Sequence, residues 1–275
     1  MDDDGYFGPQ SVTWRLHANP MQWVGGVRAL FLLALHPLAM AGVDQHSDWR
    51  TDPVGRLAAT SAYEVTVTFG DRASARRVAE RVRAIHEHVR GVDTVTGLPY
   101  EAGDPALLLW VHAALVDSGL ATSALFGTPL TAADADRYVA EMTIAAELLG
   151  VPHEMVPDSV ATLDRYFDGV RADLRRTPAA AESMGYLLDP PGLDEDIAGL
   201  WQDIRDAAVL ALPGWAVQMY GYAEPPPLTA ERRTEIRQAL GVLDAVFLGE
   251  PGVLEARQRI IARMRSAGKK RAGAT

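Results

Sequence analysis

The chain has no cysteine among its 275 residues, and its only lysines are Lys269 and Lys270, close to the C-terminus. Without cysteine, disulfide bonds, thiolate catalysis and a thiolate-ligated haem are excluded. The absence of cysteine leaves the cellular compartment open. The scarcity of lysine means that a lysine side chain is not available to a site within the body of the protein.

Basic charge and long apolar runs are also scarce. The net charge is −10, which argues against a nucleic-acid partner, because such proteins usually carry a basic surface. The acidic start, MDDDGYFGPQ, does not resemble a secretory signal, so we expect a cytoplasmic location. The apolar run 29–43 is interrupted by His36-Pro37 and is shorter than the ~20 residues of a membrane span. We predict that this run is a buried helix kinked at Pro37, and that the chain has no transmembrane segment.

Helical patterns dominate what the sequence does contain. They predict an all-α protein with a single large bundle of about ten helices, interrupted only by a short hairpin near 94–100. Asp104-Pro105 begins a helix that is apolar nearly all round and so belongs at the centre, where its polar His112 and Asp117 must be paired. The predicted organisation is an N-terminal extension (1–24), a helical domain (25–265) and a disordered basic tail (266–275).

The stretch 52–91 concentrates polar groups on helix faces that should be buried. Its second helix carries a single apolar stripe at three- and four-residue steps. His86 falls within that stripe, whereas His88 shares the opposite, charged face. The residues of the stripe are Ala75, Val78, Ala79, Val82, Ile85 and Val89.

The first helix of this stretch begins at Asp52-Pro53, and on it Arg56 and Thr60 stand four residues apart on one face. A guanidinium on a partly apolar face needs an anion, a dipole or a ligand, or must reach solvent. A core histidine and an arginine paired with a nearby carboxylate such as Glu64 or Asp48 remain as ordinary structural alternatives to a site.

Short motifs occur in a fixed order between residues 25 and 152. They are Arg28-Ala29-Leu30, Leu35-His36-Pro37, Gly42-Val43, His46-Ser47-Asp48, Arg56-x-x-x-Thr60, Ile85-His86-x-x-Val89-Arg90-Gly91, Asp104-Pro105, Leu109-Trp110-Val111-His112-Ala113 and Asp117-Ser118. In order and spacing this part of the chain resembles the rubber oxygenase (latex-clearing protein) and mycophenolic acid B oxygenase family, long catalogued as a domain of unknown function. The remainder resembles the family only as an all-helical continuation.

The resemblance implies a b-type haem and O2-dependent oxidation or cleavage of an isoprenoid-like double bond in a small apolar substrate, with helices packed around the haem as in a globin. It implies that His86 is the proximal iron ligand, that Arg56 and Thr60 line the distal pocket and that Arg90 contacts the cofactor. Some relatives use a lysine as second axial ligand, which this chain does not offer. The distal position would then be open, filled by water or taken by His36, His46 or His112.

Two other functions stay open from the residues alone. Histidines distant in sequence can converge, so His36, His46, His86 or His112 with a carboxylate would suit a non-haem metal oxygenase. A helical carrier of an apolar ligand, in which Arg56 holds a carboxylate, would need no enzyme chemistry. The sequence contains no Glu-x-x-His pair, His-Glu-x-x-His motif, P-loop or dinucleotide fingerprint.

Overall fold

A computed structural model describes residues 5–51, 53–190, 195–222 and 228–247, without the side chains of 53–59, 195–197, 200 and 242–247. Twelve α-helices and one two-stranded hairpin make up this part of the chain, which confirms the all-α prediction. The end of the predicted helical domain, from residue 248, and the predicted basic tail 266–275 lie outside the described residues.

The first half of the chain forms six helices and the hairpin. The bounds are α1 (Val12–His17), α2 (Gln22–Leu33), α3 (Pro37–His46), α4 (Pro53–Phe69), α5 (Arg72–His86), β1 (Arg90–Val92), β2 (Pro99–Glu101) and α6 (Pro105–Phe126). The predicted hairpin is therefore present, with β1 just before the predicted range and β2 overlapping its end. Helix α1 packs against α4, α6 and α7, although it precedes the predicted domain boundary at residue 25, which stays a prediction.

The second half continues as helices joined by short connections. The bounds are α7 (Ala132–Leu149), α8 (Val160–Val170), α9 (Pro178–Leu188), α10 (Glu195–Leu210), α11 (Gly214–Tyr220) and α12 (Ala230–Phe247), with 3-10 turns at His153–Met155 and Arg171–Asp173. Thr131 caps α7 by accepting from the amide of Asp134, and Gly150 ends it with a φ of 102°. Both ends follow the general capping rules, with a threonine at the start and a left-handed glycine at the end.

Helix α6 forms the centre of the bundle, as its all-round apolar sequence predicts. It packs along α2 and α7, and Trp110 and Ala113 are fully buried. Asp104 caps its first turn by accepting from the amide of Ala106 at 2.8 Å. By length and composition α6 could also cross a membrane, and so could α2 and α3 if they formed one bent span. Most of α6 is buried in the protein, however, and a buried core helix meets the same criteria.

The run 29–43 corrects the prediction of one kinked helix. It is divided between α2 and α3, which meet at 103°. Pro37 occupies the first turn of α3, where its missing amide hydrogen costs nothing. His36 has an extended backbone and caps α3, since its Nδ1 accepts from the amide of Ala39 at 3.4 Å. The proline begins a new helix and does not bend an existing one.

Candidate functional site

Helices α4 and α7 run antiparallel, as three side chains on them show. Near the end of α4, the ring of His17 lies 2.8 Å from the Thr68 hydroxyl and 3.1 Å from the hydroxyl of Tyr138, in the first half of α7. Nearer the middle of α4, the Tyr63 hydroxyl donates to the carbonyl of Ala145 at 2.6 Å, in the last turns of α7. The N-terminal half of α4 therefore extends towards and past the C-terminal end of α7.

Helix α5 returns alongside α4 after a tight turn. A Cβ on Gly70 would lie 2.5 Å from the carbonyl oxygen of Thr66, so the turn requires glycine. Asp71 then caps α5 by accepting from the amide of Ser74 at 2.6 Å. Farther along α5, Arg83 Nη1 donates to the carbonyl of Leu148 at 2.6 Å, which places the end of α5 beside the end of α7.

These directions bring the backbones of Arg56 and His86 to the same end of the α4–α5 hairpin. Each residue lies about 20 Å along its helix from the Gly70 turn, given the rise of ~1.5 Å per residue. The Arg56 side chain lies outside the described part of the structure. Thr60, one turn closer to Gly70, is partly buried.

His86 is the last residue of α5 and is partly buried. On the same helix face, Ala79 is buried and Val82 is partly buried. His88 is exposed, and its Nδ1 donates to the carbonyl of Ala84 at 2.9 Å. The contrast that periodicity predicts between an inward His86 and a solvated His88 is present.

One member of the predicted apolar stripe is not buried. Ile85 is 56% exposed, which corrects its placement on the buried face. It lies in the last turn of α5, beyond the level at which Arg83 reaches the end of α7. The helical repeat of apolar residues in the sequence continues to the last turn of α5. Helix α7, which covers this face of α5, ends before that turn, so the repeat does not predict the exposure of Ile85.

Glu64 stands one turn from Thr60 on the same helix, and the sequence alone gave no reason to separate it from an ordinary surface carboxylate. It is partly accessible, yet burial raises the pKa of its carboxyl to about 7. Both properties indicate a carboxyl that is shielded from bulk solvent in part. The carboxylate of Glu64 also raises the pKa of the Tyr138 hydroxyl, after the larger effect of burial.

The three candidate pocket histidines differ in their surroundings. His112 is 8% exposed, its pKa is lowered to about 4 by burial, and within the described part of the chain its ring has no hydrogen-bond partner. This corrects the prediction that the His112 ring is paired. Burial also lowers the pKa of His36, which caps α3. His46 is exposed and donates to the carbonyl of Arg90 at 3.2 Å. His112 is thus the only one of the three that is both buried and without a partner among the described residues.

Arg90 lies outside helix α5. It begins strand β1, is exposed, and is paired in register with Glu101 of β2. Its main chain is held by His46, so the strand start is fixed close to the end of α5. A solvent-facing guanidinium at this place can contact only a group that reaches the protein surface.

Metal-ligand clusters and surface depressions are the remaining features that could mark a site. Among the described residues no three histidine, aspartate or glutamate side chains are grouped to hold a metal ion. A depression of about 420 Å³ lies between α5 and α7 beside Arg76, Arg83 and Glu147, and one of about 210 Å³ lies between α3, the hairpin loop and the start of α9. Neither includes a residue of the predicted site.

Comparison with protein families gives one match. Residues 14–245 match the family described as "ER-bound oxygenase mpaB/B'/Rubber oxygenase, catalytic domain". No curated protein and no solved structure matches the chain. The matched range covers most of the chain and includes every helix from α2 to α11.

Proposed function

The chain belongs to the rubber oxygenase and mpaB oxygenase family, and from this membership we propose that it is a haem b-dependent oxygenase that acts with O2 on a small, unsaturated, isoprenoid-like apolar substrate. The observation that carries the proposal is the antiparallel α4–α5 hairpin, which brings the Arg56 and Thr60 end of α4 to His86. We keep the cytoplasm as the proposed location.

The donor set fits a haem. A haem needs one protein ligand, and a neutral imidazole on a largely apolar helix face supplies it without burying a charge. His86 would hold the iron, while Val82 and Ala79 on the same face would exclude water from that side. When bound, the haem supplies the activation of O2.

The residues of α4 would then control the opposite side of the site. Arg56 is proposed to stabilise negative charge that develops in the distal pocket, and the Thr60 hydroxyl to orient the groups around it. Arg90 is proposed to pair with a haem propionate, since propionates extend towards solvent and Arg90 is exposed near the end of α5. His112 is retained as a pocket residue because it is buried without a partner in the described structure.

The arrangement of histidines favours haem over a non-haem centre. A mononuclear non-haem iron site takes two histidines and a carboxylate on one face. Among the described residues the structure contains no such cluster. One inward histidine is enough for haem.

The test is an absorption spectrum of the protein expressed with haem supplementation, before and after dithionite. We expect a Soret band that His86→Ala abolishes and the matched variant His88→Ala retains, with both variants folded by circular dichroism. Equal haem retention by the two variants would remove His86 as the ligand. A colourless protein containing stoichiometric iron would point to the non-haem alternative, and one without metal to the carrier.

A further inference from the structure

Exposed apolar side chains gather in one part of the surface. Among the described residues only six large hydrophobic side chains are exposed, and four of them lie between residues 85 and 98. Water-exposed apolar residues are ordinary when scattered singly, but a group of them marks an interaction surface. We call this group the hairpin patch, defined by Ile85 (56% exposed), Val92 (54%), Val95 (50%) and Leu98 (55%).

The hairpin presents this patch outwards because its other face is anchored. Tyr100 is buried, and its hydroxyl donates to Gln45 of α3 at 2.9 Å. The Gln45 amide in turn donates to the carbonyl of Val92 at 3.0 Å. Side chains alternate across a strand, so Val92 and its partner Pro99 point away from α3.

The loop at the tip is held by its own hydrogen bonds. The buried Asp93 carboxylate accepts from the amides of Val95 and Thr96 and from the Thr96 hydroxyl. Gly97 closes the turn with a φ of 71°. The apolar tip is therefore built and supported, and its exposure does not result from an unstructured loop.

Positive charge borders the patch on the α5 side. Arg77, Arg81 and His88 lie on the solvent face of α5 beside Ile85, and Glu80 and Glu87 lie on the other flank of that same face. Helix α5 carries five arginines and one glutamate, so its net charge is positive. Arg90 adds a further exposed cation at the start of β1, with Glu101 as its cross-strand neighbour. This local positive charge stands out in a chain whose net charge is −10.

We propose that the hairpin patch docks onto an anionic phospholipid bilayer, with Val92, Val95 and Leu98 entering the headgroup region and Arg77 and Arg81 contacting lipid phosphates. Apolar side chains rimmed by arginine are the combination that binds at the surface of anionic membranes without spanning them. The charge favours lipid over a second copy of this chain, since two such arginine-bordered surfaces would repel each other. The proposal goes beyond the oxygenase assignment and does not require bound haem.

Vesicle flotation tests the proposal. The full chain should float with phosphatidylcholine vesicles containing phosphatidylglycerol, and weakly or not at all with phosphatidylcholine alone. Val92→Ser/Val95→Ser/Leu98→Ser should lower partitioning about tenfold or more, because three apolar anchors are lost. Tyr222→Ser, which removes an exposed aromatic residue elsewhere (50% exposed), should bind like the parent. Arg77→Glu/Arg81→Glu should abolish the preference for anionic lipid.

The absence of cysteine allows a direct probe of insertion. An environment-sensitive dye on Val95→Cys should shift to the blue on anionic vesicles, whereas the same dye on Tyr222→Cys should not. Absence of flotation by the parent protein, or equal flotation by the triple serine variant, would overturn the proposal. A dimer that the triple variant dissociates, seen by light scattering without any vesicle binding, would assign the patch to self-association and overturn it as well. Because haem-free protein serves equally, failure here is separate from failure of the haem assignment.

Discussion

The guanidinium of Arg28 lies 2.7 Å from the carboxylate of Asp117 and joins α2 to α6 inside the bundle. Arg28 is 2% exposed, and its other nitrogens donate to the Ser118 hydroxyl and to the carbonyl of Ala211, each at 2.7 Å. Every branch of the buried cation thus has a partner, and the prediction that Asp117 must be paired is confirmed. One charged side chain connects three separate parts of the fold.

Removal of Asp117 should therefore destabilise the protein strongly. In Asp117→Ala the Arg28 charge stays buried without its counterion, and we expect the free energy of unfolding to fall by about 3 kcal/mol. Urea denaturation followed by circular dichroism measures the change. Asp168→Ala, which removes the exposed partner of Arg171, is the control and should cost less than about 1 kcal/mol. Similar small losses in both variants would show that the Arg28 ion pair does not hold the bundle together.

His17, which is partly buried, and His112, which is buried, should respond differently to the same substitution. Burial lowers the pKa of His17 and of His112 to about 4, so both are neutral at pH 7. His17 contacts the hydroxyls of Thr68 and Tyr138, whereas His112 has no hydrogen-bond partner among the described residues. We expect His17→Leu to lower the free energy of unfolding by about 2 kcal/mol, and His112→Leu to leave it unchanged or raise it by up to about 1 kcal/mol.

Chemical denaturation of the apoprotein at pH 7 compares these two variants. The pH dependence gives a second measurement. A histidine whose folded-state pKa is depressed loses stability as the pH falls from about 6.5 towards 4, because the unfolded chain binds the proton first. Both leucine variants should therefore unfold with a weaker dependence on pH across this window than the parent. A loss of stability in His112→Leu equal to that in His17→Leu would show that His112 has a partner.

The sequence predicts the helices because local signals and packing agree along most of the chain. Helix α6 begins at the predicted Asp104-Pro105 start, and Asp104 caps it. The exception is Pro37, where the sequence cannot distinguish a kink from the start of a new helix. That choice depends on whether α3 has somewhere else to pack, which is a tertiary property.

The site could be predicted only in part. Helical periodicity separates His86 from His88, because both lie on or beside one helix with a polar and an apolar face. Periodicity could not identify Glu64 or the partners of His17, because these depend on helices distant in sequence approaching each other. Nor could it show that Ile85 lies beyond the cover of α7. The roles of Arg56, Thr60, His86 and Arg90 stay predictions.

The distal role proposed for Arg56 leads to a ligand-binding prediction. In haem-loaded protein, Arg56→Leu should weaken cyanide binding about tenfold or more, because the anion loses a charged donor. The dissociation constant is measured from the shift of the Soret band. Arg90→Leu is the control and should leave cyanide affinity unchanged, since an exposed arginine at the start of β1 is assigned to the haem edge. Equal affinities in the parent and Arg56→Leu would place Arg56 outside the distal pocket.

The partly buried carboxyl of Glu64 should make stability fall as the pH rises. Its pKa is raised from the ordinary value of 4.5 to about 7, because burial penalises the charged form. Between these two pH values the folded protein keeps a proton that the unfolded chain releases, so the free energy of unfolding decreases as the pH increases. Glu64→Gln keeps the shape of the side chain and removes the ionisation. We expect the variant to exceed the parent in stability by about 2 kcal/mol at pH 8 and to equal it near pH 4.5.

Urea denaturation at pH 5 and pH 8 gives the comparison, with Glu80→Gln on the exposed side of α5 as the control that should not alter the pH dependence. If Glu64→Gln changes stability equally at both pH values, Glu64 ionises as an ordinary surface carboxylate. If the predicted difference is found, loading with haem should test whether the cofactor lies beside Glu64. A cofactor bound next to Glu64 would displace water from the carboxyl and enlarge the difference at pH 8, whereas one bound elsewhere would leave it unchanged.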